Sequence, residues 1–305
     1  MPDNLDQIVE SASQRLATGF VFTEGPLWHP GGYWLFVDIR RAVIHKLTPG
    51  GQPEVFRDNS GGSNGLTFDA QGRLLMCEGD NRQITRMDPN SGSVTPIARE
   101  IDGKRLNRPN DIVCHSSGSI YFSDPGGRIA PEDRELDYMG IHRIAPDGKV
   151  TTATAETEYP NGLGFSPDES ILYVTITRRD QDCIAEKERG AVCRHQLIRA
   201  FDVAPDGSLS NNRVFAGLPS AGDGVPDGMK VDIEGRVYCT GAGGCWVFDA
   251  SGNHLGTIVL PEIPANCAWG GPDNRTILFT ARMSVYSMRM KTPGTPVRGA
   301  ALAGS

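Results

Sequence analysis

The chain is poor in the features that would place it in a membrane, on nucleic acid or around zinc. No stretch approaches the run of about 18 apolar residues that spans a bilayer. No run of basic residues is present, and Lys and Arg number 30 against 37 Asp and Glu, a formal net charge of −7. A nucleic-acid surface needs the opposite balance, clustered on one face. The seven cysteines include no C-x-x-C pair and no zinc spacing. The six histidines stand at 29, 45, 115, 142, 195 and 254, without an i, i+4 pair, so surface or turn roles are expected for them. A P-loop and a dinucleotide fingerprint are both missing. The first 20 residues lack the basic start and apolar middle of a secretion signal, so a cytoplasmic location is expected.

What the chain has instead is turns and repetition. Glycine contributes 37 residues and proline 21, a profile suited to many short strands. Six polar clusters introduce apolar, strand-like runs: Glu24-Gly25-Pro26, Asn64-Gly65-Leu66, Asn110-Asp111, Asn161-Gly162-Leu163, Asp227-Gly228-Met229 and Asn266-Cys267-Ala268. They are spaced by 40, 46, 51, 66 and 39 residues, the length of one four-stranded propeller blade. Each cluster is followed by a tight turn and a second β-branched or aromatic strand, as in Asn64–Phe68, Asp69-Ala70-Gln71-Gly72 and Arg73–Cys77. The expected fold is therefore all-β, a six-bladed β-propeller with a divalent metal in the central channel. It would occupy residues 19–290 as a single domain, after an extension at 1–18 and before a flexible Gly/Ala/Pro-rich tail at 291–305. The segment Leu16–Phe22 is expected to lend the last blade a strand and so close the ring. A short helix is expected within Leu5–Arg15.

Two polar insertions, 126–138 and 177–196, follow second strands and are expected at the channel mouth. The second contains Arg178, Arg179 and Arg194 together with Cys183 and Cys193, for which a loop disulfide is one alternative. Cys77, Cys114, Cys239 and Cys267 lie in strand-like runs and read as small buried hydrophobes.

Equivalent strand positions around a propeller converge on its axis. Glu24, Asn110, Asn161 and Asp227 would then present oxygen donors to the channel, the chemistry of a hard divalent cation. An Asn or Asp before Gly is more often a turn residue, and Asn64 and Asn266 are open to that reading. Glu24 resists it, because an acid within Phe22–Trp28 is costly to bury unless paired or metal-bound.

Glu24-Gly25-Pro26-Leu27-Trp28, Asn64–Phe68, Arg108-Pro109-Asn110-Asp111, Phe122-Ser123-Asp124-Pro125, Pro160–Leu163 and Pro226–Met229 resemble, in order and spacing, the signature segments of the gluconolactonase/senescence-marker-protein (regucalcin) family. The resemblance covers roughly residues 20 to 290. It implies a six-bladed propeller binding one divalent metal, with Ca²⁺ the favoured ion and Mg²⁺, Mn²⁺, Zn²⁺ or Fe²⁺ as alternatives. Glu24, Asn161 and Asp227 are implied as ligands, with Asn110 as a further ligand or a close neighbour of the set. Asp227 is implied as general base and Arg108 as a substrate-binding arginine; Asn64 and Asp124 are further candidates to contact or support substrate. One departure stands out. Where bacterial relatives often carry His in a Glu-His-Gly-Asn segment, this chain reads Cys77-Glu78-Gly79-Asp80-Asn81, with Gly79 at the His position.

The activity expected is metal-dependent opening of a lactone, favouring a sugar aldonolactone. Hydrolysis of another ester or phosphotriester, or a non-catalytic calcium-binding propeller, remain as alternatives. The expected partner is a small-molecule lactone rather than nucleic acid or membrane, with homo-oligomerisation left open.

Overall fold

The computed structural model describes residues 4–127, 129–177, 189–192 and 195–300. Six four-stranded antiparallel sheets form the blades of a propeller. Their inner strands are Thr23–His29, Ser63–Phe68, Ile112–Cys114, Pro160–Phe165, Met229–Val231 and Asn266–Gly270. Each inner strand contacts the next, and the sixth contacts the first, so the ring is closed. Blades are numbered one to six in that order.

Closure comes from the N-terminal segment, as expected, but earlier in the chain. Gln14–Thr18 pairs antiparallel with Ser284–Arg289 as the outer strand of blade six. The strand stops at Gly19, whose φ of 99° turns the chain inward. Val21 and Phe22 then donate their N–H groups to the buried Asp38 carboxylate, at 2.9 and 3.2 Å. The expected helix within Leu5–Arg15 is reduced to one 3-10 turn, Asn4–Gln7. A helix this short is marginal, and the free edge of blade six outcompetes it: Val9 bridges to Met290 and Glu10 N–H bonds to Arg289 O.

The strands form where alternation and turn chemistry agree. Asp69, Asp232 and Asp249 each accept backbone N–H groups of the following turn, which tightens the hairpin between strands. Between blades lie apolar layers, such as Leu75, Ile84, Ile112 and Phe122, and Leu27, Leu35, Leu66 and Phe68. Cys77, Cys114, Cys239, Cys245 and Cys267 are free and buried in these layers. Cys183 and Cys193 lie outside the described residues, as do Arg178, Arg179 and Arg194. Among the described residues no helix is long and apolar enough to cross a membrane.

The ring holds because its inner strands touch at glycine. A Cβ on Gly25 would stand 1.9 Å from Asn64 O, one on Gly65 2.8 Å from Asn110 O, one on Gly162 2.4 Å from Asp227 O, and one on Gly228 2.0 Å from Asn266 Cγ. Gly65 N–H donates to Asn110 O at 2.7 Å, Gly162 N–H to Asp227 O at 3.2 Å and Gly228 N–H to Ala265 O at 2.8 Å. These glycines were open to a turn reading in sequence. They are sites of close approach between neighbouring blades.

The two ends of the channel differ. The polar residues begin the inner strands at one end. Toward the other, Leu27, Leu66, Ile112, Leu163, Val231 and Trp269 line a cavity of about 160 Å³. Residues 292–300 cross this end, and residues 301–305 of the tail expected at 291–305 lie outside the described residues. Thr295 N–H bonds to Val231 O at 3.0 Å, Gly294 packs on Trp269, and Arg298 Nε meets Glu169 Oε1 at 2.8 Å. The glycine and proline content of this segment fits it to a narrow path over the core.

Replacing Gly162 with Ala should wedge blades four and five apart where Asp227 is held. Urea unfolding of the variant is expected to show a loss of about 2–3 kcal/mol. A wild-type midpoint would mean that the contact relaxes without cost.

Candidate metal centre and channel mouth

The inner strands all run in one direction, so their first residues share the channel mouth. Glu24 is 2% exposed, and Asn64 and Asn161 are each 6% exposed. Asn110 and Asp227 are half-buried. The structure thus brings Glu24, Asn64, Asn110, Asn161 and Asp227 to one end of the ring.

Glu24 Oε2 accepts the Gly25 N–H at 2.8 Å and Asn266 Nδ2 at 2.9 Å. The second bond spans from blade six to blade one, so Asn266 supports the site rather than forming a turn. Burial, followed by the neighbouring Asp227 carboxylate and then partly offset by these two bonds, pushes the Glu24 carboxyl well above the ordinary range. Asp111 adds to the upward push. Its carboxylate is buried and accepts the N–H groups of Ile112 at 2.9 Å and Leu163 at 3.1 Å, tying blade three to blade four. Asp111 takes the position that glycine fills in four of the six clusters, a signal visible in the sequence but not used there.

The amides are set with their oxygens unpaired. Asn161 Nδ2 donates to Thr177 Oγ1 at 3.2 Å, and Thr177 in turn donates to Pro226 O at 2.7 Å. Asn161 Oδ1 and Asn64 Oδ1 are buried without a hydrogen-bond partner. An orphaned buried acceptor costs about 1–3 kcal/mol, a cost that a ligand would remove. Asp227 is fixed through its backbone: its N–H donates to Thr240 O at 3.1 Å, and its carbonyl accepts Thr175 Oγ1 at 2.7 Å. Neither Thr175 nor Thr177 was singled out as a support from sequence.

Among the described residues no three His, Cys, Asp or Glu side chains gather as a metal-holding group. The candidate set is of another kind, two carboxylates with amide oxygens. Repelling carboxylates beside orphaned amide oxygens fit a hard divalent cation, which would relieve both defects.

Asp124 is placed differently from a substrate-contacting residue. It is fully buried, and its oxygens accept the N–H groups of Asn107 at 2.7 Å and Arg108 at 2.5 Å. Its role is to anchor the loop that presents Arg108 and Asn110. His142 lies beneath it, Nε2 3.4 Å from Asp124 Oδ2 and fully buried, against the expectation of a surface position. Strand alternation within Gly140–Ile144 turns His142 inward opposite Phe122. The insertion at 126–138 flanks this end of the ring: Tyr138 O accepts Asn107 Nδ2 at 2.9 Å, and Gly127 packs on the Tyr159 hydroxyl, two residues before Asn161. Arg108 Nη2 pairs with Asp80 Oδ1 at 2.6 Å.

A closed six-bladed propeller with an oxygen-lined mouth defines the architectural class. Within it, residues 22–282 match the model of the SMP-30/gluconolactonase/LRE-like region, and the chain belongs to that family. It is 30% identical over 315 residues to a gluconolactonase of Zymomonas mobilis, covering 95% of this chain and 85% of the relative. It is 29% identical to the pentonolactonase XacC of Haloferax volcanii, covering 84% of this chain and 80% of the relative. The solved structure of a gluconolactonase from Xanthomonas campestris superposes with a TM-score of 0.81 at 30% identity, over 94% of this chain and 92% of that one.

Replacing Glu24 with Gln keeps an acceptor for Gly25 and Asn266 but removes the buried charge. In chelator-stripped protein the variant should melt no lower than wild type, because one of two repelling carboxylates is gone. Its calcium affinity by calorimetry should fall by at least about tenfold. Unchanged affinity would remove Glu24 from the ligand set.

Proposed function

We propose that the chain is a divalent-metal-dependent lactonase acting on sugar aldonolactones. The observation that carries this reading is the convergence of Glu24, Asp227 and the unpaired Asn161 oxygen at a single buried mouth. The gluconolactonase and pentonolactonase relatives, matched along most of their length, support lactone hydrolysis as the reaction.

Glu24, Asn161 and Asp227 would hold the ion, with Asn110 and the Asn64 oxygen beside them. An oxygen-only donor set favours Ca²⁺ over Zn²⁺. Bound there, the cation supplies Lewis-acid polarisation of the lactone carbonyl and charge stabilisation as the ring opens.

The chain's own residues supply the rest. Asp227 is the half-buried carboxylate of the set, whereas Glu24 is shut in by Gly25 and Asn266. Asp227 is therefore the group able to take a proton from the attacking water, and to return it to the ring oxygen as the ester bond breaks. Thr175 and Thr240, bonded to its backbone, hold it in place through that exchange. Such general-base assistance is worth about 10²–10⁴-fold. Arg108, on the loop anchored by Asp124, would donate hydrogen bonds to substrate hydroxyls.

Hydrolysis of glucono-, galactono- and xylonolactone, followed by acid release on chelator-stripped protein with single divalent ions restored, tests the reading. Turnover on at least one sugar lactone, dependent on the added ion, is expected. The Asp227→Asn variant should lose at least about a hundredfold in kcat. Wild-type turnover in that variant would rule out Asp227 as base, and silence across the panel would overturn the lactonase reading.

A further inference from the structure

The departure at Gly79 has a structural counterpart. Arg108 is fixed at both ends, its backbone N–H on Asp124 and its guanidinium on Asp80. Between these points its side chain lies across Gly79, where a Cβ would stand 3.2 Å from both Arg108 Cγ and Cζ. A larger residue at this position would push the guanidinium away.

The corner that holds Asp80 is built for it. Asp80 N–H donates to Gly61 O at 3.0 Å, and Gly79 N–H to Gly62 O at 3.2 Å. Gly61 and Gly62 both adopt left-handed φ, at 65° and 63°. A Cβ on Gly62 would come 2.3 Å from Asp80 Oδ2, and one on Gly61 2.2 Å from Asn81 Nδ2. Asn81 is held by Glu78 at 2.7 Å, and buried Glu78 also binds Gln83, Thr85 and Arg57. Two glycines and an interior carboxylate network thus set the position of one rim acid.

An arginine free at a channel mouth is an anion receptor, with a fork suited to carboxylate or phosphate. Here one arm of the fork, Nη2, is taken by Asp80 Oδ1. Asp80, Glu24, Asp111, Asp227 and the Asp124 beneath the loop are opposed at this end by Arg108 and by the two charges of a divalent ion. Lys230, whose Nζ is 3.9 Å from Asp111 Oδ2, lines the cavity at the apolar end. The carboxylates around the site then outnumber the charges that oppose them, and an anionic substrate gains nothing by entering.

We propose that Asp80 is a specificity-determining residue: by occupying Arg108 on Gly79 it tunes the mouth to neutral polyhydroxylated lactones and against lactones bearing a carboxylate or phosphate. The inference rests on the lactonase reading of the same site and names its substrate charge. Asp80 acts through Arg108 and is a positioning residue.

The test compares calcium-loaded wild type with Asp80→Asn and Asp80→Glu on glucono-1,5-lactone, which is neutral, and glucaro-1,4-lactone, which carries a carboxylate. Wild type should favour the neutral lactone. In Asp80→Asn the ratio of kcat/KM for the anionic over the neutral lactone should rise roughly tenfold at low ionic strength, chiefly through KM. That gain should fade toward about 1 M salt, where charges are screened within about 3 Å. Asp80→Glu should restore the neutral preference, which a merely structural lesion at this corner would not do. Hydrolysis of the neutral lactone with an unmoved ratio in Asp80→Asn overturns this inference alone. Hydrolysis of neither lactone by the wild type overturns the lactonase reading and this inference with it.

Discussion

Everything at the channel mouth depends on how closely six strands approach one axis. Gly25, Gly65, Gly162 and Gly228 let four of the six inner strands lie against the next strand at distances that no side chain would permit. The polar residue before each glycine is then carried to the same end of the ring. Packing supplies the driving force, since apolar layers between blades are buried only when the ring closes. The polar convergence is a consequence of that closure, and its electrostatic cost is borne by the core.

The cost is concentrated where chemistry would use it. Glu24 is shut away from water beside Asp227 and Asp111, and the two amide oxygens of Asn64 and Asn161 have no protein partner. A structure selected only for stability would not keep such a cluster, because replacing any member by an apolar residue removes repulsion or an orphan. The surrounding hydrogen bonds run the other way, toward rigidity. Asn266, Thr175, Thr177 and Thr240 each secure a backbone or side chain of the cluster from a neighbouring strand. The site is strained in charge and firm in geometry, the combination that pre-organised binding requires.

The fold was legible because it repeats. Six strand-turn-strand units gave the same answer independently, and a spacing near one blade length fixed their number. The polar heads were legible as a set for the same reason. What the sequence could not separate was role within the set. Asp124 and Asn110 are both polar residues beside apolar runs, yet Asp124 ends the second strand of blade three and is buried beneath the loop, whereas Asn110 lies on that loop and is half-buried. The supports were hidden because they act across strands. Thr175 reaches from the second strand of blade four to Asp227 in blade five, 52 residues on, while Thr177 and Thr240 lie at the second strands of the blades whose polar heads they hold. The N-terminal turn and the packing of residues 292–300 were not legible from local propensity. Their conformations are set by partners distant along the chain: Met290 and Arg289 for the first, Val231 and Glu169 for the second.

The two ends of the channel divide its tasks. The apolar end is crossed by residues 292–300 and carries the Arg298–Glu169 pair, whereas the oxygen donors stand at the other end. At that other end the chain places a cation on Gly79 and cancels it with Asp80 in a half-open ion pair. Such a pair adds little to stability. Yet two left-handed glycines and the Glu78 network are committed to holding its acid in place. A corner so specified for so small a stability return is better explained by control of the charge that meets an incoming substrate.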